Sequence, residues 1–133
     1  MGARFNHVSI QAIDIEASAR FYEDVFGVER VAAPNFGFPV YWLRLGDLQL
    51  HLFHTGSPLG GNHHFGVEVD DVERVVRRLD ELDLWEKEGF FANVYEMPDG
   101  AVQIYFRDPA GNLVEIDHPR LADLDRSVFG DRL

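Results

Sequence analysis

The chain has 133 residues, one domain's worth of sequence, and its formal net charge of −11 excludes nucleic acid as a partner, because phosphate contacts need clustered Lys and Arg. It has no cysteine, which excludes a disulfide framework, a thiol nucleophile and a thiolate metal site. No stretch is apolar enough for a signal peptide or a membrane span, so a soluble cytoplasmic protein is the expectation.

In chain order, Asn6-His7-Val8-Ser9-Ile10 reads as a strand, followed by Asp14-Ile15-Glu16-Ala17 opening a helix. Asp14 is the candidate N-cap, Ala17, Phe21 and Val25 form the apolar stripe, and Gly27 is the stop. Strands are expected near Val40–Leu45 and Leu48–Phe53, with Gly46-Asp47 as a tight turn. Ala32–Pro39 is loop-like, with room for a weak strand, and Ser57–Asn62 is a Gly-rich linker. The pattern then restarts. His63-His64-Phe65-Gly66-Val67-Glu68-Val69 is a strand, and a helix from Asp70 or Asp71 carries Val72, Val75, Val76, Leu79 and Leu82 on one stripe. Strands follow at Phe91–Glu96, Val102–Arg107 and Leu113–Asp117, with turns at Pro98-Asp99-Gly100 and Asp108-Pro109-Ala110-Gly111. Arg120–Leu133 is a tail with a short helix as its expected structure and no assignable role.

A single offset of 57 residues superposes His7 on His64, Asp14 on Asp71 and Glu16 on Glu73. That is the mark of a duplicated unit, each copy reading β-α-β-β-β.

Side chains alternate across a strand, so each strand yields two lists. Val8, Ile10 and Ala12 oppose His7, Ser9 and Gln11; Phe65, Val67 and Val69 oppose His64, Gly66 and Glu68. Leu48, Leu50 and Leu52 oppose Gln49, His51 and Phe53; Ile104 and Phe106 oppose Gln103, Tyr105 and Arg107; Val114 and Ile116 oppose Leu113, Glu115 and Asp117. One face suits packing beneath amphipathic helices. The other holds His, Gln, Tyr, Glu and Ser rather than the Lys, Glu and Thr of an outer surface, as expected of a sheet curling around a wet cavity.

Two His and one carboxylate on neighbouring strands can hold one face of an octahedral cation and leave positions open for a substrate. His7, His64 and Glu115 are the candidate set, and imidazole with carboxylate suits Fe2+, Mn2+, Zn2+ or Ni2+. The spacing is non-local. The competing reading keeps both imidazoles as hydrogen-bonded strand residues and pairs Glu115 with an Arg. His63 competes with His64 for the second position, and alternation together with the offset favours His64.

The segment Ile104-Tyr105-Phe106-Arg107-Asp108-Pro109-Ala110-Gly111-Asn112-Leu113-Val114-Glu115 resembles the motif that closes vicinal oxygen chelate domains, the superfamily of glyoxalases, bleomycin-resistance proteins and extradiol dioxygenases. Asn6-His7 and His64-Phe65-Gly66-Val67-Glu68-Val69-Asp70-Asp71 are similar to its two first-strand ligand motifs, and Phe21-Tyr22-Glu23-Asp24-Val25-Phe26-Gly27 to its helix ending. The resemblance covers roughly residues 4–118. It implies an α+β fold of two βαβββ modules forming a half-open mixed β-barrel, within a single domain: module one 4–56, linker 57–62, module two 63–118, tail 119–133. It also implies one divalent metal ion on His7, His64 and Glu115, a small-molecule substrate chelating through vicinal oxygens, and a homodimer.

The resemblance branches by reaction. Ring-cleaving extradiol dioxygenases are similar in the Tyr105-to-Glu115 spacing, which implies His51 as an acid–base group and Tyr105 as a catalytic pocket residue; they carry another His where this chain has Glu96, Met97 and Pro98. Fosfomycin-modifying transferases are similar at Ser9, but their Lys- and Ser-rich loop is missing from Asn93–Ala101. Glyoxalase I and methylmalonyl-CoA epimerase types imply a fourth ligand, here Gln49 or His51, and proton transfer at carbon. Ser9, Gln49 and Gln103 are the expected substrate-pocket residues. The alternative is a metal-free binding protein of the bleomycin-resistance type. His54 and His118 are expected at strand ends, and Arg107 in an ion pair that steadies the following turn.

Overall fold

A computed structural model of the chain describes residues 5–54 and 63–133, so the expected linker at 57–62 lies outside the described residues. Two compact units emerge. One comprises Met1–Gly60 with Pro109–Asn112, the other Gly61–Asp108 with Leu113–Leu133.

The first unit runs β1 (His7–Ala12), α1 (Ile15–Phe26), β2 (Glu29–Val31), β3 (Val40–Leu45) and β4 (Leu48–His54). Its sheet has the order β1-β4-β3-β2, with β1 parallel to β4 and the other pairs antiparallel. Asp14 caps α1 by accepting from the Ala17 amide at 3.0 Å, and Gly27 ends it in the left-handed conformation at φ 66°. The buried stripe of α1 is Ser18, Ala19, Phe21, Tyr22 and Val25; Ala17 faces solvent, because the helix turns its apolar side one residue later than the four-residue steps indicate. The stripe packs with Ile10, Leu43, Leu50 and Leu52 in the core of the unit.

The second unit repeats the order: β5 (His64–Glu68), α2 (Val72–Leu82), β6 (Tyr95–Glu96), β7 (Val102–Arg107) and β8 (Leu113–His118), in a sheet ordered β5-β8-β7-β6. Asp71 is the N-cap of α2, accepting from the Arg74 amide at 3.1 Å. Val72, Val75, Val76 and Leu79 are buried, whereas Leu82 at the last turn is exposed.

Two expectations need correction. The strand expected over Phe91–Glu96 is a 3-10 turn at Phe90–Ala92 followed by the two-residue β6. Gly89 enters that turn at φ 79°, and the Tyr95 hydroxyl donates to the Phe90 carbonyl at 2.7 Å, which curls the segment over its own rings. The weak strand sought within Ala32–Pro39 lies earlier, as β2. The ion pair expected of Arg107 is present, with Glu86 at 3.1 Å.

The C-terminal tail forms 3-10 turns at Leu121–Asp123 and Arg126–Arg132, and Leu121 and Phe129 are buried. The Val94 amide donates to the Arg132 carbonyl at 2.9 Å, and the Leu121 amide to the Gly100 carbonyl at 2.8 Å. The Arg132 guanidinium lies 4.1 Å over the Trp85 ring. The tail is part of the second unit's core. Among the described residues no helix is long and apolar enough to cross a membrane.

Candidate metal centre

Strand register sets the site. In the first sheet Ser9 faces His51 and His51 faces Trp42; in the second Gly66 faces Glu115 and Glu115 faces Tyr105. The two sheets therefore carry equivalent cross-strand rows. His51 is the repeat mate of Glu115, and Trp42 is the repeat mate of Tyr105. Gln49 faces His7 and corresponds to Leu113, so of the two residues open for a fourth donor His51 stands in the row equivalent to that of Glu115.

In the second unit His64 Nε2 lies 3.5 Å from Glu115 Oε1. His63 precedes β5 and is exposed. Gly66 makes the room on this face: a Cβ there would stand 3.3 Å from Glu115 Oε2 and 2.9 Å from Asp117 Oδ2. The next row aligns Glu68, Asp117 and Gln103. Burial, then Glu115 and Glu68, push the Asp117 carboxyl up to about 7, against the opposing pull of His64. Its Oδ1 is buried without a hydrogen-bond partner. Tyr105 is buried, and its hydroxyl donates to Gln103 Oε1 at 3.0 Å. Burial and the neighbouring Glu115 carboxylate push the phenol well above its ordinary value. Phe91 packs against both Tyr105 and His64, with ring centroids 4.9 and 6.2 Å away.

In the first unit His7 and His51 stack at 4.4 Å, and His51 stacks on Trp42 at 4.2 Å. His51 Nε2 and Gln49 Oε1 are 2.8 Å apart. Burial, then the nearby His7, lowers the His51 imidazole's affinity for a proton. Asn6, His7, Phe36, Trp42, Asp47, Gln49 and His51 line a cleft of about 630 Å³. Ser9 is exposed on the same strand face as His7.

The structure thus brings together His64, Glu115, Tyr105 and Gln103 in one unit, and His7, Gln49 and His51 in the other. Among the described residues no three His, Asp or Glu side chains form a ready-made metal cluster. The donor set still fits a borderline cation: an imidazole nitrogen beside a carboxylate, with an orphaned buried carboxylate oxygen on the adjoining row. His54 at the end of β4 is exposed, and His118 Nδ1 lies 3.1 Å from the Arg120 amide, so neither joins the site. Trp42, Asp117 and Phe91 were missed from sequence. Alternation along Val40–Leu45 would have placed Trp42 on the polar face; the curl that delivers Phe91 has no pattern of its own.

A family model described as Glyoxalase/Bleomycin resistance protein/Dioxygenase superfamily matches residues 4–116. The chain belongs to that superfamily. Methylmalonyl-CoA epimerase of Homo sapiens mitochondria is 34% identical over 91 residues, covering 57% of this chain and 52% of that protein. The chain spans about half the length of the human and mouse epimerases it matches. A probable trivalent organoarsenical cleaving enzyme of Bacillus subtilis is 32% identical over 118 residues, covering 82% of this chain and 75% of that one. Among solved structures, a lactoylglutathione lyase from Agrobacterium tumefaciens is 27% identical with a TM-score of 0.66, covering 92% of this chain and 98% of its own. The superfamily generally uses divalent metal ions, and each βαβββ unit of this chain has an imidazole on its first strand.

Proposed function

We propose that this protein is a cytoplasmic, homodimeric, divalent-metal-dependent enzyme of the isomerase or lyase type, acting on a small substrate that offers two adjacent oxygens. His7, His64 and Glu115 are the ligands, and His51 is the fourth donor. The approach of His64 Nε2 to Glu115 Oε1 at 3.5 Å carries the reading, because two such donors at that separation can share one cation. A bound cation would polarise a substrate carbonyl and acidify the adjoining C–H. Tyr105 keeps its proton at neutral pH and can turn it from Gln103 Oε1 to a substrate oxygen. Phe91 covers His64 and Tyr105 and limits water around them. Gly66 leaves the space in which Glu115 can turn toward the cation.

The named relatives support an enzyme but not their own substrates. Trivalent arsenic is a soft centre that seeks thiolates, and this chain has no cysteine. Elemental analysis of protein purified without a metal-affinity tag tests the reading. A stoichiometric load of zinc, nickel, cobalt or manganese is the expected result. Iron, with oxygen uptake on a catechol panel, would move the reading to an oxygenase. No uptake even after reconstitution would leave a binding protein of the bleomycin-resistance type.

A further inference from the structure

The first unit carries a run of rings that its core does not need. Phe38 stacks on Phe36 at 5.9 Å, Phe36 leans on Trp42 at 6.4 Å and 45°, Trp42 lies flat on His51 at 4.2 Å and 6°, and His51 lies on His7 at 4.4 Å and 17°. The outer end is not closed over. Phe36 is 49% exposed and Phe38 57% exposed, and Phe36 and Trp42 both line the cleft that holds His7 and His51. Uncovered ring surface at the mouth of a cleft is unfavourable in water and is stabilised by a flat apolar guest.

Charge narrows the guest further. Among the described residues no Lys or Arg lines the cleft, and Asp47 is the acidic side chain that does. Elsewhere in this unit Arg30 is held by Glu16 and Glu23, and Arg44 by Glu29. A phosphate-bearing ligand would meet a field of the wrong sign in a chain of net charge −11.

We propose that the substrate presents a planar aromatic ring to the Phe36–Trp42 wall, carries no phosphate, and is neutral or cationic apart from its metal-seeking oxygens. The inference rests on the proposed function only in taking this cleft as the substrate's seat. Ring and oxygens then divide the work: the wall fixes the plane of the substrate, and the donors at the His7 and His51 end take its polar edge.

The test is binding to the full chain, with and without Zn2+. The probe is naphthalene-2,3-diol, compared with cis-cyclohexane-1,2-diol and coenzyme A. Of the two tryptophans only Trp42 borders the cleft, Trp85 being 5% exposed, so quenching of the Trp42 emission reads the site. The aromatic diol should bind the metal-free protein and outbind the aliphatic diol about tenfold, as ring stacking alone provides. Trp42→Leu should lose about tenfold in affinity by calorimetry, and Trp42→Phe should keep most of it. Phe36→Ala, at an exposed loop position, should weaken binding several-fold without disturbing the far-UV spectrum. Equal affinity for the two diols, or salt-sensitive binding of coenzyme A, would overturn the proposal. So would a Phe36→Ala variant that dissociates a dimer while naphthalene-2,3-diol never binds, since the wall would then be a subunit interface. Zn2+ uptake is scored separately: diol binding without metal uptake sinks the metalloenzyme reading and leaves the aromatic cleft standing, and metal uptake without diol binding does the reverse.

Discussion

Gly66 faces Glu115 across the β5–β8 ladder, and a methyl group on that glycine would intrude on the Glu115 and Asp117 carboxylates at 3.3 and 2.9 Å. Both intruded atoms are side-chain ends, so the ladder survives and the carboxylates turn away. Gly66→Ala is therefore expected to fold normally and to lose about tenfold in metal affinity, the usual effect of disturbing what orients a ligand. Isothermal titration with Zn2+ checks it. An unchanged affinity would mean that Glu115 does not need the space.

His64→Ala removes one member of the His64–Glu115 pair and leaves the buried rows of β5 intact, because His64 is on the exposed phase of its strand. The far-UV spectrum should match the parent. Saturating Zn2+, at about a hundred times its dissociation constant, should raise the parent's melting temperature by about 10 °C. The variant should show no rise. A variant that still gains the full increment would place the metal elsewhere.

The duplicated plan was legible because it rests on local signals that recur: a His on each first strand, an Asp cap three residues before the amide it satisfies, an apolar phase beneath each helix. The proximity of His64 and Glu115 follows from alternation, since β5 and β8 are parallel neighbours with Gly66 opposite Glu115. What alternation does not give is register between strands. Alternation leaves Gln49 and His51 equal, and the β1–β4 pairing adds that His51 stands beside Ser9 and Gln49 beside His7. The Phe90–Ala92 turn was hidden for another reason: Phe-Phe followed by Val-Tyr satisfies a strand pattern, and the ring contacts that curl it, Phe90 on Tyr95 at 4.5 Å, are tertiary. Asp117 reads from the sequence only as a polar-face position, because its raised pKa depends on burial and on Glu115 and Glu68 standing beside it.

Arg30 ties α1 to the first sheet by donating to two carboxylates, Glu16 and Glu23, each at 2.8 Å. The Arg30 hydrogen bond, seconded by Tyr41, holds the Glu16 carboxyl down at about 2 from an ordinary 4.5. A depressed folded-state pKa contributes stability that is complete above 4.5 and is lost as the pH falls through about 2. Glu16→Gln should therefore cost stability at neutral pH, and the gap from the parent should close between those two values. Urea midpoints at a series of pH values measure it, and added salt should narrow the neutral gap because the cluster is at the surface. A gap that stays constant with pH would assign the loss to packing instead of charge.

Phe129 has no exposed surface, although it stands four residues before the last in a segment whose sequence has no strong helical or strand period. Its burial is local to the second unit. The Arg126–Arg132 turn is anchored by the Val94 amide on the Arg132 carbonyl, and the Asp125 amide is held by Glu73 Oε1 at 3.0 Å. Phe129→Ala leaves those polar anchors in place and empties only the aromatic volume, so the expected cost is that of a core cavity, about 3 to 5 kcal/mol. An appended tail would predict less than about 0.5 kcal/mol, the scale of a surface substitution. Urea unfolding followed by Trp85 emission separates the two, since Trp85 lies under the Arg132 guanidinium and reports the same region. A midpoint within error of the parent would detach the tail from the core.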